Sequence, residues 1–159
     1  QQNDGVPYEA FIQRGFLSPS GDNFIDYQDV FNWITETVEK HRLYILQIGY
    51  DRYNATYLTQ ALDQYGFHTD DVYQGDNLWP IIQEMERMLK DGKIKIGDND
   101  LLKSHLLNSA IKMSHERGRG RLVKLYPTAH IDGCAALLDA LTVRAKHWNE
   151  IGEQLKNED

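Results

Sequence analysis

The stretch "LYILQIGYDRYNA", residues 43–55, sets the frame for the rest of the chain. Its first seven residues are mostly apolar and hardly alternate, which predicts a strand over 43–49 buried on both faces. A Gly-Tyr pair ends the run, and Asp51 stands where such a strand would emerge, followed at once by Arg52, Tyr53 and Asn54. In open sheets with crossover helices, ligand sites gather at strand carboxyl ends. Asp51 is therefore a candidate ligand-binding carboxylate, although an aspartate that merely opens a turn has the same spacing.

Helical patterns flank this strand. Before it, "IDYQDVFNWITETVEKH" spaces Val30, Phe31, Ile34 and Val38 for one helical face, with Asp26 or Asp29 near the start. After it, "ATYLTQALDQYG" groups Leu58, Ala61, Leu62 and Tyr65 and ends on Gly66, a natural C-cap. A short extended piece around Val72 and Tyr73 leads to a helix in "LWPIIQEMERMLKDG", and "KIKIG" (93–97) alternates as a short strand should. "NDLLKSHLLNSA" predicts a helix capped by Asn99. "AIKMSHERGRGRLVKLYP" alternates on both sides of a glycine-rich turn, which predicts a β-hairpin with "HERGRG" at its tip. From Ile131 to about Leu155, a stripe of Ala135, Leu138, Leu141, Ala145, Trp148, Ile151 and Leu155 predicts one long helix. Strands alternating with helices imply an α/β or α+β domain, a mixed sheet covered by helices.

The 159 residues suffice for one domain with a real core. No apolar run approaches the roughly 18 residues that span a bilayer, and the N-terminus lacks a basic region followed by an apolar stretch. Cys134 is the one cysteine, which excludes an intrachain disulfide and suits a reducing compartment. A net charge of −7 argues against nucleic-acid binding through the overall field, so contact with DNA would need a local basic patch or another domain.

The sequence has no GxxxxGK[ST], HExxH or CxxC motif and no nucleophile elbow around its serines, which removes nucleotide-motor, zinc and serine-nucleophile chemistry from this chain. Cys134 lies on the apolar side of a predicted helix and reads as an inert core thiol. His41, His68, His105 and His147 read as surface residues. Asp132, at the start of the last helix, is a second candidate carboxylate, and with Asp51 it would suit a hard cation such as Mg²⁺ or Mn²⁺; an N-cap role fits it equally. His130, two residues earlier, lies within reach of a metal-bound water or is a plain loop histidine. Arg117, Arg119 and Arg121 crowd the hairpin tip, with Lys124 following. They read either as a solvated turn or as a basic finger for phosphates.

Taken together, these segments resemble the nuclease domain of the large terminase subunit of tailed double-stranded DNA phages. "VPYEAFIQRGFLSPSGDNFIDYQDV" is similar to that family's approach to the nuclease helix. "IGYDRYNA" resembles its second acidic motif, "QG" at 74–75 also fits, and "LLKSHLLNSAIKM" resembles its helix-Asn-strand segment. "LVKLYPTAHIDGCAALLDAL" resembles its closing motif, with Lys124 eight residues before Asp132. The resemblance covers nearly the whole chain.

The resemblance implies an RNase H-like mixed sheet flanked by helices, with a β-hairpin near the active site. It implies a metal-dependent endonuclease that cuts concatemeric phage DNA by a two-metal mechanism, with two Mg²⁺ or Mn²⁺ ions in the complete domain. Asp51 and Asp132 would be metal ligands, within about 8 Å of each other. His130 would orient a ligand or water, and Lys124 would bind a phosphate or balance the carboxylates. Implied partners are double-stranded DNA, the terminase ATPase domain, the small terminase subunit and the portal; no membrane partner is implied, and the setting is the cytoplasm of an infected host.

The family's first acidic residue lies on a strand upstream of anything present, and Asp4 and Asp22 sit in turns. Residues 1–159 are thus expected to be a C-terminal nuclease domain lacking the first strands and the ATPase domain. Strand 43–49 would then pair with a neighbouring copy or a swapped segment, or be covered by residues 1–17. The competing expectation is a non-catalytic packaging module that docks on the motor, portal or DNA.

Overall fold

The computed structural model describes residues 5–52 and 56–156; Tyr53 and Asn54 lie outside them. Helix α1 (Tyr8–Gln13) is followed by α2 (Tyr27–His41). The side chain of Asp26 caps α2 by accepting the Gln28 N–H at 2.8 Å, and Ser20 in turn accepts the Asp26 N–H at 2.9 Å. The predicted apolar face of α2 packs on α3 (Thr56–Tyr65), with Phe31 edge-on to Tyr65 at 5.6 Å. Leu62, on the inner face of α3, is fully buried, and Gly66 closes that helix in the left-handed region at φ 110°.

Between these helices lies strand β1, Ile48–Asp51, which begins later than the predicted 43–49 and ends on Asp51 itself. The displacement has a local cause. The Leu43 N–H is used at 2.9 Å by the Val38 carbonyl to close α2, and Leu43 and Tyr44 are 49% and 74% exposed. Strand β2, Thr69–Val72, pairs with β1 in parallel, Ile48 opposite Thr69 and Asp51 opposite Val72. Among the described residues no other strand pairs with β1. The expectation that residues 1–17 cover it fails for the part described. Arg14 pairs with Asp100 and donates at 3.1 Å to the Asp98 carbonyl, and Tyr8 meets His130, so this segment lies beside α5 and the start of α6.

A 3-10 turn (Asp76–Leu78) opens into α4 (Trp79–Lys90), and α5 (Asp100–Leu107) follows, capped as predicted by Asn99, which accepts the Leu102 N–H at 2.9 Å. Residues 93–97 form no strand. The Lys93 and Ile94 N–H groups both go to the Met88 carbonyl, closing α4, and Ile94 tucks against the core as an anchor. Strands β3 (Ser109–Met113) and β4 (Gly120–Lys124) form an antiparallel ladder joined by residues 114–119. The domain is therefore mixed α/β, but among the described residues its parallel and antiparallel pairs stay separate rather than forming one mixed sheet.

Helix α6 (Asp132–Lys146) runs through the middle and packs on β1, α4 and α5. The predicted long helix breaks at His147, and α7 (Trp148–Lys156) follows. The His147 ring is held between Asp70 at 2.9 Å and Glu150 at 2.8 Å, an arrangement that fixes the break. One core cluster joins Val72, Leu78, Ile82, Leu138 and Val143; a second joins Met85, Cys134 and Leu141; Ile81 and Leu122 touch both. Gly49 is where strand and helix meet most closely. A Cβ there would stand 2.6 Å from the Asp139 carbonyl oxygen and 3.0 Å from Val143, so any side chain would force α6 away.

Candidate functional site

Asp51 is exposed at the carboxyl end of β1, as its place in the sequence predicts. Its acidic neighbour is one that the sequence reading passed over. Asp139, in the middle of α6, is only 6% exposed and accepts a hydrogen bond from the Gln74 side-chain amide. Burial pushes the Asp139 carboxyl up to about 6; the Gln74 bond works against this, and the nearby Asp51 charge adds to it. The Asp51 charge is thus near enough to disfavour ionisation of Asp139, and a cation beside them would relieve that repulsion.

Asp132 and His130 form a second group at the start of α6. Asp132 has an 83% exposed side chain, and its carboxylate lies 3.9 Å from the His130 ring. Tyr8 reaches the other His130 nitrogen at 3.4 Å, and Asn108 donates to the His130 carbonyl at 3.2 Å. His105, read as a surface residue, instead accepts the Gly133 N–H at 2.9 Å and so caps α6. Burial pulls its pKa down, which keeps the ring neutral and able to accept; the Asp132 charge opposes this and His130 reinforces it. Asp132 and Asp139 are seven residues apart, two helical turns or about 10 Å along one face.

The antiparallel pair supplies the positive charge. Arg117, Arg119 and Arg121 line a groove of about 440 Å³ together with Lys112, and its other wall is Tyr73, Gln74, Gly75 and Asp76. Arg117 is tied to Asp76 at 3.1 Å. Lys124 does not line this groove. In the ladder it lies three residues from Arg121, on the opposite face in register with Ser109. Gln74 therefore has two contacts that matter, one with the basic groove and one with Asp139.

Among the described residues no group of three or more His, Cys, Asp or Glu is gathered to hold a metal ion. The donors that are present fit one nonetheless in kind: exposed carboxylate oxygens at a strand end and a helix start suit a hard divalent cation. Two signals could have found the missed residues. Asp139 interrupts the apolar run "AALLDALTV", and Lys112 occupies the same alternation of the hairpin as the arginines.

An acidic strand end packed against a helix, with a basic antiparallel pair alongside, defines a mixed α/β domain whose opposite charges are sorted onto separate walls. The chain belongs to the terminase large subunit, endonuclease domain family, which matches residues 1–148. Its fold is similar to that in the crystal structure of the HK97 bacteriophage large terminase, with a TM-score of 0.76 and 21% identity over 88% of this chain and 29% of that one. The chain thus spans well under half of the length of that terminase. No curated protein matches it. Among the described residues no helix is long and apolar enough to cross a membrane.

Proposed function

We propose that this chain is a metal-dependent endonuclease domain of RNase H-like architecture that cuts concatemeric double-stranded DNA during phage packaging. The observation that carries this reading is Asp51, an exposed carboxylate at the carboxyl end of a parallel strand, in a chain of this family. Asp51 and Asp132 would hold Mg²⁺ or Mn²⁺, with Asp139 as the buried acid beside Asp51. Bound ions of this kind activate a water and stabilise the leaving oxygen of a phosphodiester. His130, bonded to Tyr8 and close to Asp132, would orient that carboxylate or accept a proton. Arg117, Arg119 and Arg121 would take backbone phosphates, and Lys124, on the other face of the ladder, would bind a phosphate or balance the carboxylates. In the whole protein the partners would be an ATPase domain, a small terminase subunit and the portal, in the host cytoplasm.

Calorimetric titration of Mn²⁺ into the chain tests the site directly. Binding that disappears in Asp51→Ala and weakens in Asp132→Ala is expected. Binding indifferent to both substitutions would overturn the metal site and favour the competing role, a non-catalytic module docking on the motor, portal or DNA.

A further inference from the structure

We propose that the groove between Tyr73 and the β3–β4 ladder is a binding site for a single, unpaired nucleic-acid strand, with Tyr73 as a stacking platform and Lys112 as a phosphate contact. The inference deepens the endonuclease reading and rests on it for the identity of the ligand as DNA.

The positive wall is built for an anion. Lys112 and Arg121 are directly opposite in the ladder register, and like charges so placed weaken a strand pair. Among the described residues neither of them, nor Arg119, has a carboxylate partner, whereas Arg117 has Asp76. A protein of net charge −7 that gathers Lys112, Arg119 and Arg121 on one small face, with no carboxylate partner among the described residues, is arranged for a polyanion.

The opposite wall carries an aromatic ring. Tyr73 is 48% exposed, and the Arg52 guanidinium sits over its ring at 5.3 Å, itself held by Asp71. Gly75 lets the ring lie close to the backbone, since a Cβ there would be 2.7 Å from the Tyr73 ring. Its backbone is extended, so the glycine is needed for space and not for conformation. The ring is thereby fixed with part of its surface open to the groove.

A half-exposed, immobilised aromatic facing a row of cations is how proteins hold single strands, in which bases stack on rings while cations track the backbone. The groove's 440 Å³ is the size of a small-ligand pocket. One or two nucleotides of a separated strand would fill it. Gln74 links this wall to Asp139, so a strand in the groove would lie next to the acidic site.

Fluorescence anisotropy of the 159-residue chain with labelled oligothymidylate of about 12 nucleotides, and with a duplex of the same length, tests this. With EDTA present the result does not depend on metal. The single strand should bind more tightly than the duplex. Tyr73→Leu should weaken single-strand binding about tenfold, the scale of losing one base stack, while Tyr73→Phe should bind as wild type. Lys112→Gln should reduce the slope of log affinity against log salt by about 0.7 on the single strand. A duplex that binds as well as the single strand, or a Tyr73→Leu protein of unchanged single-strand affinity, overturns the proposal. Intact single-strand binding without Mn²⁺ binding would sink the endonuclease reading and leave the groove standing.

Discussion

The side-chain amide of Gln74 donates a hydrogen bond to the buried carboxylate of Asp139, joining the loop after β2 to the middle of α6. It ties the two elements that flank Asp51.

The first consequence concerns pH. The Asp139 carboxyl is raised by folding from 3.8 to about 6. A group raised in this way leaves stability intact below its unfolded pKa and lowers it as pH rises through the folded value. Wild-type stability should therefore fall relative to Asp139→Asn between about pH 4 and pH 6 and level off above, by at most on the order of 3 kcal/mol. Urea denaturation of both proteins at the two ends of that window measures it, and a constant difference would refute the assignment.

Gly49→Ala should destabilise the domain by about 1–3 kcal/mol, because its Cβ would collide with the Asp139 carbonyl. The same shift displaces α6 from β1 and moves Asp139 away from Asp51. The Mn²⁺ affinity should fall with the denaturation midpoint; an unperturbed midpoint would mean that the contact is looser than the structure has it.

Replacing Arg117, Arg119 and Arg121 with alanine should change stability little, under about 0.5 kcal/mol for each exposed site. DNA binding should nevertheless lose salt dependence in proportion to the phosphates released. Filter binding across a salt series gives the slope, and an unchanged slope would make the tip an ordinary solvated turn.

His147 is protonated more readily than a free histidine because of its bonds to Asp70, then Glu150. Asp70, despite partial burial, is held below the usual carboxylate range by Lys146 and His147. A raised histidine contributes fully below its unfolded pKa of about 6.5 and loses that contribution as pH climbs through the folded value. Thermal melts of wild type and His147→Gln should accordingly differ more at pH 6 than at pH 9. A gap that widens on the alkaline side would contradict the pairing.

Much of this architecture is legible in the sequence, because period and punctuation are local signals. The α2 stripe, the Asn99 cap, the Gly66 stop and the alternation of 110–124 all correspond to what forms. The failures share one cause: a partner that no local pattern announces. Residues 93–97 alternate, but Met88 claims their first two N–H groups. The stripe from Ile131 continues past His147, but Asp70, distant in sequence, holds that ring where the helix breaks. Asp51 stood out because an acid at the end of an apolar run is conspicuous. Asp139 did not, because its significance comes from Gln74 and Asp51, which only the fold brings near.

Leu122 has a mechanical consequence. It touches both core clusters, and two residue pairs further along the ladder Gly120 is wedged so tightly that a Cβ would meet Ile111 at 2.5 Å and Trp79 at 2.8 Å. Strand β4 is thereby clamped to α4, so the ladder cannot swing as a lever about its base. Bending must be confined to residues 114–119, beyond the clamp. Of the basic residues, Arg119 rides on the compliant part and Arg117 is tethered there to Asp76, while Lys112 and Arg121 stay on the rigid part. A strand in the groove would rest against a fixed pair of cations and be followed by Arg119, in the manner of an anvil and a finger.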